Sequence, residues 1–334
     1  AKKLKIIVTG SAGYIGGTFC HKLLSAGHEV IGLDNYINSD KKVSNFLLNS
    51  FNSYTFHQID IAKEENSMDE IFSNHKGSVD CVVHFAALKA VGESESKPVQ
   101  YWENNIISTL NLIKTMKSHD MRKLIFSSSA TVYGNNANQP LTESESLSPI
   151  SCYGSTKIAN EYLLNDVAKA GDIDVVMLRY FNPVGAHSEC IIYDDPYASP
   201  NNIMPRVIRV ALGIEKQMYI WGNDYSTKDG TGARDYIHIE DLVEGHIAAI
   251  DFVKTFSGST ALNLGTGNSI TVLELIKKFE NINGIKIPIS FEKRRKGDVA
   301  ECYADPAKAQ KILNWKAKKT LEEMCKSSWK PFIK

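Results

Sequence analysis

A chain of 334 residues is long enough to bury a large core, which points to two domains or one large α/β unit. Lys+Arg and Asp+Glu both total 38, so no global field recruits nucleic acid or an anionic membrane, and any anionic ligand has to be held by local groups. With 43% hydrophobic residues and no long polar low-complexity tract, a disordered chain is excluded.

Taken in chain order, apolar runs at Lys5–Thr9, Glu29–Asp34, Tyr54–Ile59, Cys81–Phe85, Lys123–Ser127 and Asp174–Arg179 read as strands. Helical patterns at Tyr14–Ser25, Val99–Ser118 and Tyr153–Lys169 fall between them. This alternation predicts βαβ units and a Rossmann-type doubly wound parallel sheet, helices on both faces, with a smaller mixed α/β C-terminal lobe. Residues 1–182 are expected to form the dinucleotide-binding region, with a return segment near 235–255, and residues 183–334 a substrate lobe. Beyond Asn182-Pro183 the elements shorten; Pro196, Pro200 and Pro205 punctuate a loop leading to a helix at Met204–Leu212. Thr271 with Glu274 reads as a capping box opening a helix through Phe279. The apolar part of the N-terminus is too short for a signal peptide, and no stretch is long enough to span a bilayer. Six scattered cysteines, Cys20, Cys81, Cys152, Cys190, Cys302 and Cys325, form no CxxC pair or Cys/His cluster. A disulfide framework and a metal site are therefore not expected, and a reduced cytosol is.

Gly10-Ser11-Ala12-Gly13-Tyr14-Ile15-Gly16 follows a strand and opens a helix. Glycines there allow a tight turn and close approach of the backbone to a pyrophosphate, while the helix N-terminus supplies N–H donors and partial positive charge. A glycine triplet alone is weak evidence; the strand–turn–helix context and Asp34 at the end of the second strand strengthen it. Asp34 can bind both adenosine ribose hydroxyls and would repel a 2′-phosphate, which favours NAD over NADP. Tyr153 and Lys157 are four apart, on one helical face. A tyrosine of pKa about 10 needs about 4 kcal/mol of differential stabilisation to act near pH 7. A nearby ammonium and an oxidised nicotinamide both favour the phenolate, so Lys157 and the nicotinamide together are expected to make Tyr153 acidic.

The glycine turn, the serine run Ser127-Ser128-Ser129 and the Tyr/Lys pair together resemble the extended short-chain dehydrogenase/reductases, and within them the UDP-glucose (UDP-galactose) 4-epimerases. The resemblance extends through residues 84–93, 127–134, 179–187 and 230–238. It implies that Tyr153 removes the proton of the sugar 4-hydroxyl as hydride passes to bound NAD, with Ser129 on the same oxygen and Lys157 on the nicotinamide ribose. It further assigns Asn35, Asp60, Ile61, Phe85, Ala86, Lys89, Asn104 and Tyr180 to the NAD site, although Asp60, Ile61, Lys89 and Asn104 taken singly are equally ordinary loop or helix-surface residues. For the substrate it implies Lys89, Thr131, Asn182 and Asn202, Arg234 and Arg295 on the pyrophosphate, Trp221 at uracil, and Asp298 at the uridine ribose. Cys302 stands where some relatives carry tyrosine against the sugar C2 substituent, which implies room for UDP-N-acetylhexosamines as well as UDP-hexoses; a small residue in an unchanged pocket is the plainer alternative. A homodimer through residues 99–118 and 153–169 is also implied, with Ile106, Ile107, Leu110, Ile113 and Met116 offering apolar surface. Two rivals share the fold. A sugar-nucleotide 4,6-dehydratase or decarboxylase needs further acid/base groups, where this chain has Ala130 and Thr131; a non-catalytic NAD-sensing module would not need Ser129, Tyr153 and Lys157, all present here.

Overall fold

The computed structural model describes residues 2–189, 191–198 and 201–334; Cys190 and Pro200 lie outside the described residues. The chain divides into two compact units, one made of Ala1–Val132, Pro149–Arg179 and His246–Leu262, the other of Tyr133–Ser148, Tyr180–Gly245 and Asn263–Lys334. The segment that returns to the first unit is His246–Leu262, and residues Tyr133–Ser148 group with the second unit.

In the first unit β1 (Lys5–Thr9), α1 (Tyr14–Ser25), β2 (Glu29–Asp34), α2 (Lys41–Ser50), β3 (Tyr54–Gln58), α3 (Glu65–Asn74) and β4 (Cys81–His84) follow one another. Then come α4 (Val91–Ser96), α5 (Pro98–Ser118), β5 (Lys123–Ser129), α6 (Cys152–Lys169) and β6 (Asp174–Tyr180). The seven-stranded sheet has the order β11-β6-β5-β4-β1-β2-β3, where β11 is Ser259–Leu264, and pairs from β3 through β5 run parallel. This is the doubly wound order, with its reversal between β1 and β4, where ligands sit outside the carboxyl ends of strands. Register places Thr9 beside both Leu33 and His84, so the ends of β1, β2 and β4 lie level. β-branched and apolar side chains fill the sheet face covered by α5 and α6: Ile7, Ile31, Val82, Leu124 and Val175 pack with Leu112, Met116 and Leu164. Ser151 caps α6, its Oγ accepting from Gly154 N at 3.0 Å, a contact worth about 1 kcal/mol. That cap sets the start of the helix carrying Tyr153 and Lys157. Among the described residues no helix is long and apolar enough to cross a membrane.

The second unit carries β7 (Asn182–Val184), α7 (Ile203–Ala211), β8 (Met218–Trp221), β9 (Ala233–Arg234) and β10 (Tyr236–His238). α8 (Ile239–Val253) leads back to the first unit, and β12 (Ile270–Thr271), α9 (Val272–Asn283), β13 (Ile289–Glu292) and β14 (Glu301–Cys302) follow. The expected capping box is present, Thr271 and Glu274 exchanging side-chain-to-backbone bonds at the start of α9. Short sheets β10-β7, β12-β9-β14 and β13-β8 pack on α7 and α9 through Val207, Ile208, Ile220, Leu275 and Phe279.

Candidate active site

Gly10 turns with φ +72°, and a Cβ there would meet Ala86 N at 2.8 Å and the Phe85 carbonyl carbon at 2.9 Å. The turn therefore lies directly against the residues that follow β4. At Gly16 a Cβ would lie 2.1 Å from Gly10 O, which explains glycine at that position by internal crowding. Gly13 differs: a Cβ there would meet only Gly10 O, at 3.6 Å, so the room in front of α1 stays open. Gly13 is also the N-cap, without a side chain to cap the helix, and the first turn holds no acidic residue. The α1 ladder begins with Gly17 N to Gly13 O at 2.8 Å, so the N–H groups of Ile15 and Gly16, in the first turn, have no acceptor within the helix. An open, uncapped, positively polarised helix end is a fit for a pyrophosphate. Asp34 Oδ2 accepts from Ala12 N at 3.0 Å and Oδ1 from Tyr36 N at 2.9 Å, so this carboxylate also braces the glycine turn. Nearby, Asn35 accepts from Ile37 N, Asp60 from Ala62 N, and the Ile61 carbonyl from Asn111. Asn104 donates to Asn105, while Lys89 is exposed.

Tyr153 and Lys157 share one face of α6, and both are buried. Lys157 Nζ donates to Ser127 O at 2.7 Å and lies 5.7 Å from the centre of the Tyr153 ring and 5.0 Å from that of Phe126. Ser129 Oγ accepts from Thr131 N at 3.1 Å and Thr131 Oγ1 at 2.9 Å. With both lone pairs of Ser129 engaged, its own proton is left for the hydrogen bond to Tyr153.

The expected acidity of Tyr153 is not a property of the protein alone. Burial pushes the phenol well above its ordinary range, and the Ser129 bond opposes this only in part. Burial also pushes the Lys157 ammonium down to about 7, helped by Lys89 and opposed by Glu161. A lysine that is itself close to losing its proton cannot strongly favour a phenolate. Desolvation outweighs the pairwise attraction.

Three buried groups around this pair were given no role in the sequence analysis. Glu161, one helical turn beyond Lys157, is held by Arg179 Nη2 at 2.6 Å, Arg179 Nε at 3.1 Å and Ser128 Oγ at 2.6 Å. His84 bonds Thr9 through Nδ1 at 2.6 Å and Thr109 through Nε2 at 3.1 Å, and burial with Lys157 and Lys89 holds it down to about 3, neutral. The Ser127 carbonyl is the third. Only Glu161 left a trace in the sequence, through its four-residue spacing from Lys157.

In the second unit Arg234 and Cys302 are register partners on β9 and β14. Asp235 anchors that pair: its carboxylate accepts from Thr266 N and Oγ1, Gly267 N and Ala304 N, and its own N–H donates to Cys302 O. Asn182 N donates to Asp235 O at 2.9 Å. Tyr180 is buried at the end of β6, and Asn202 donates to Asp194 at 3.2 Å at the start of α7. Asp298 takes Arg295 Nε at 2.8 Å, and the Arg295 guanidinium lies 4.2 Å from the Trp221 ring centre. Arg206, which the sequence did not single out, lies 4.4 Å from the same ring.

The family model described as GDP-mannose 4,6 dehydratase matches residues 7–328. A UDP-glucose 4-epimerase of Bacillus subtilis (strain 168) is 46% identical over 329 residues, 98% of this chain and 96% of that protein. The fold superposes with TM-score 0.94 on a UDP-glucose-4-epimerase of Stenotrophomonas maltophila solved with NAD and formylated UDP-arabinopyranose, 42% identical, covering 98% and 97% of the two chains. A UDP-glucose 4-epimerase of Bifidobacterium longum, in complex with NAD+ and UDP, is 44% identical at TM-score 0.89, covering 97% and 96%. Identity at this level over almost every residue, with the Ser/Tyr/Lys constellation intact, means that the chain belongs to the UDP-glucose 4-epimerase family.

Proposed function

We propose that this chain interconverts UDP-glucose and UDP-galactose, with Tyr153 as the group that takes and returns the proton of the sugar 4-hydroxyl. The observation that carries the assignment is the hydrogen-bond relay from Thr131 through Ser129 to a buried Tyr153, above a buried Lys157. NAD, when bound, supplies the acceptor and donor of the C4 hydride. Its holders are the α1 end at Gly10, Gly13, Tyr14, Ile15 and Gly16, with Asp34 and Asn35 toward the adenosine. Asp60, Ile61, Phe85, Ala86, Lys89, Asn104, Lys157 and Tyr180 complete the set.

Ser129, with its proton directed at the phenol oxygen, stabilises the phenolate that accepts the substrate proton. Loss of the 4-hydroxyl proton and the C4 hydride leaves a 4-keto sugar; return of the hydride to the opposite face of C4, and of the proton to the oxygen, inverts C4 with no net redox change. Tyr153 is regenerated, so no other acid or base is consumed. A 4,6-dehydratase, the description carried by the matching family model, would need a carboxylate beyond the serine run. The residues there are Ala130 and Thr131, and the Thr131 hydroxyl is bonded to Ser129, which favours epimerisation.

Arg234, Arg295, Asn182 and Asn202 anchor the diphosphate, Trp221 and Asp298 the uridine, and Lys89 and Thr131 lie toward the sugar. Cys302, half-buried beside Arg234, leaves space at the sugar C2 position for an N-acetyl group. Val99, Trp102 and Leu110 on α5 and Tyr162 on α6 are exposed and support pairing with a second copy of this chain; Ile113 and Met116 instead belong to the core. The balanced charge and the unpaired cysteines Cys20, Cys81, Cys152, Cys302 and Cys325 support a cytoplasmic setting. The deciding experiment is Tyr153→Phe assayed with UDP-galactose. Loss of about a hundred- to ten-thousandfold in kcat is expected, and near-normal turnover would overturn the mechanism.

A further inference from the structure

The arginines of the second unit are unevenly matched with acid. Arg295 is bonded to Asp298, Arg294 to Asp224 and Arg209 to Glu215, each with its shortest contact at 2.7–2.8 Å. Arg206 is different. Its hydrogen bonds go to the Tyr219 carbonyl at 2.5 Å and the Met218 sulfur at 3.4 Å, both uncharged, while its guanidinium stacks on Trp221 beside that of Arg295. Arg234 likewise donates to a carbonyl, that of Ala233, at 2.8 Å.

We propose that Arg206 is a further substrate-binding residue, whose guanidinium lacks a carboxylate partner because the diphosphate of the nucleotide sugar is its counter-ion. The proposal rests on the reading of the chain as a UDP-sugar enzyme, and adds to it a residue that the sequence resemblance did not assign.

Charge bookkeeping supports it. Trp221 and Tyr225 gather Arg206, Arg295 and Arg294, and the field of Arg234 reaches Tyr225. Among the described residues the carboxylates bonded within this group are Asp298 and Asp224. Two guanidiniums, those of Arg206 and Arg234, are left unmatched, and a nucleoside diphosphate sugar carries one negative charge on each phosphate. A partly buried cation without an acid costs stability unless a ligand supplies the anion. In keeping with this, burial together with Arg295 and Arg209 holds the Arg206 guanidinium down to about 10, against a smaller pull from Glu215 and Asp298. A second polar group is also unsatisfied: the buried Tyr225 hydroxyl, in the field of Arg294, Arg234 and Arg295, has no hydrogen-bond partner. Planar guanidinium groups suit phosphate oxygens and aromatic faces at once, which a lysine ammonium does not.

The experiment compares holoenzyme with Arg206→Met and Arg206→Lys by calorimetric titration of UDP and UMP, alongside KM and kcat for UDP-galactose and the Tm without nucleotide. Arg206→Met, which keeps the apolar stem, is expected to weaken UDP binding and raise KM by about tenfold, with kcat within about twofold. UMP, lacking the second phosphate, should lose clearly less affinity than UDP. Arg206→Lys should recover most of the UDP affinity, and the Tm of Arg206→Met without nucleotide should equal or exceed that of the parent. Unchanged UDP affinity in Arg206→Met overturns the proposal. So does a fall in Tm that Arg206→Lys fails to restore, which would make Arg206 a structural brace, and so does equal weakening of UMP and UDP. A parent enzyme that binds no UDP would instead overturn the UDP-sugar reading itself.

Discussion

Replacing Lys157 with Met should make the dinucleotide-free protein more stable at neutral pH while removing its activity. Burial lowers the Lys157 ammonium from its ordinary 10.5 to about 7, and at about 1.4 kcal/mol per pH unit this corresponds to about 5 kcal/mol opposing the charged form in the folded state. Between these two values the unfolded chain holds a proton that the folded one has released, so stability rises with pH across this window. The penalty is therefore fully present below about pH 7 and gone above about 10.5. Met carries no such penalty. The stability difference between Lys157→Met and the parent should thus shrink by about 4 kcal/mol between pH 6 and pH 10. The lost bond from Nζ to Ser127 O adds a roughly pH-independent offset of about 1 kcal/mol in the opposite direction. His84, held down to about 3, and Tyr153, pushed above its ordinary range, keep one protonation state throughout. Urea denaturation of both proteins at pH 6, 8 and 10 measures the difference directly. A difference that does not vary with pH would refute the claim that Lys157 is a strained buried cation.

Gly16→Ala puts a Cβ 2.1 Å from Gly10 O; displacement of the turn should cost about 1–3 kcal/mol and deplete bound NAD, read from Tm and from the cofactor content of the purified protein. Cys302→Tyr should suppress UDP-N-acetylhexosamine turnover by about a hundredfold and leave the UDP-hexose reaction within about threefold; equal loss of both in parallel rate assays would remove Cys302 from the C2 pocket. Leu110→Glu with Trp102→Glu, placed on exposed apolar positions of α5, should yield monomers in sedimentation velocity, and an unchanged sedimentation coefficient would locate any dimer contact elsewhere.

Local pattern determined the elements that carry the chemistry. β1, α1 and β2 begin and end where the apolar alternation, the glycines and Asp34 place them, because a strand, a tight turn and a helix start are each specified within a few residues. The Tyr153–Lys157 spacing was legible for the same reason: one helical turn is a local distance. What the helix could not disclose was the sign of the electrostatics. That depended on how deeply β5 and α6 bury the pair, and burial is a sum over distant segments; the same packing that brings Ser129 to the phenol withholds solvent from both charges. Glu161 with Arg179, His84 with Thr9 and Thr109, and Arg206 with Trp221 are likewise meetings of residues far apart in the chain. Their side-chain types are ordinary. Only the folded chain decides which of them have a partner and which, like Arg206, are left with a charge to share.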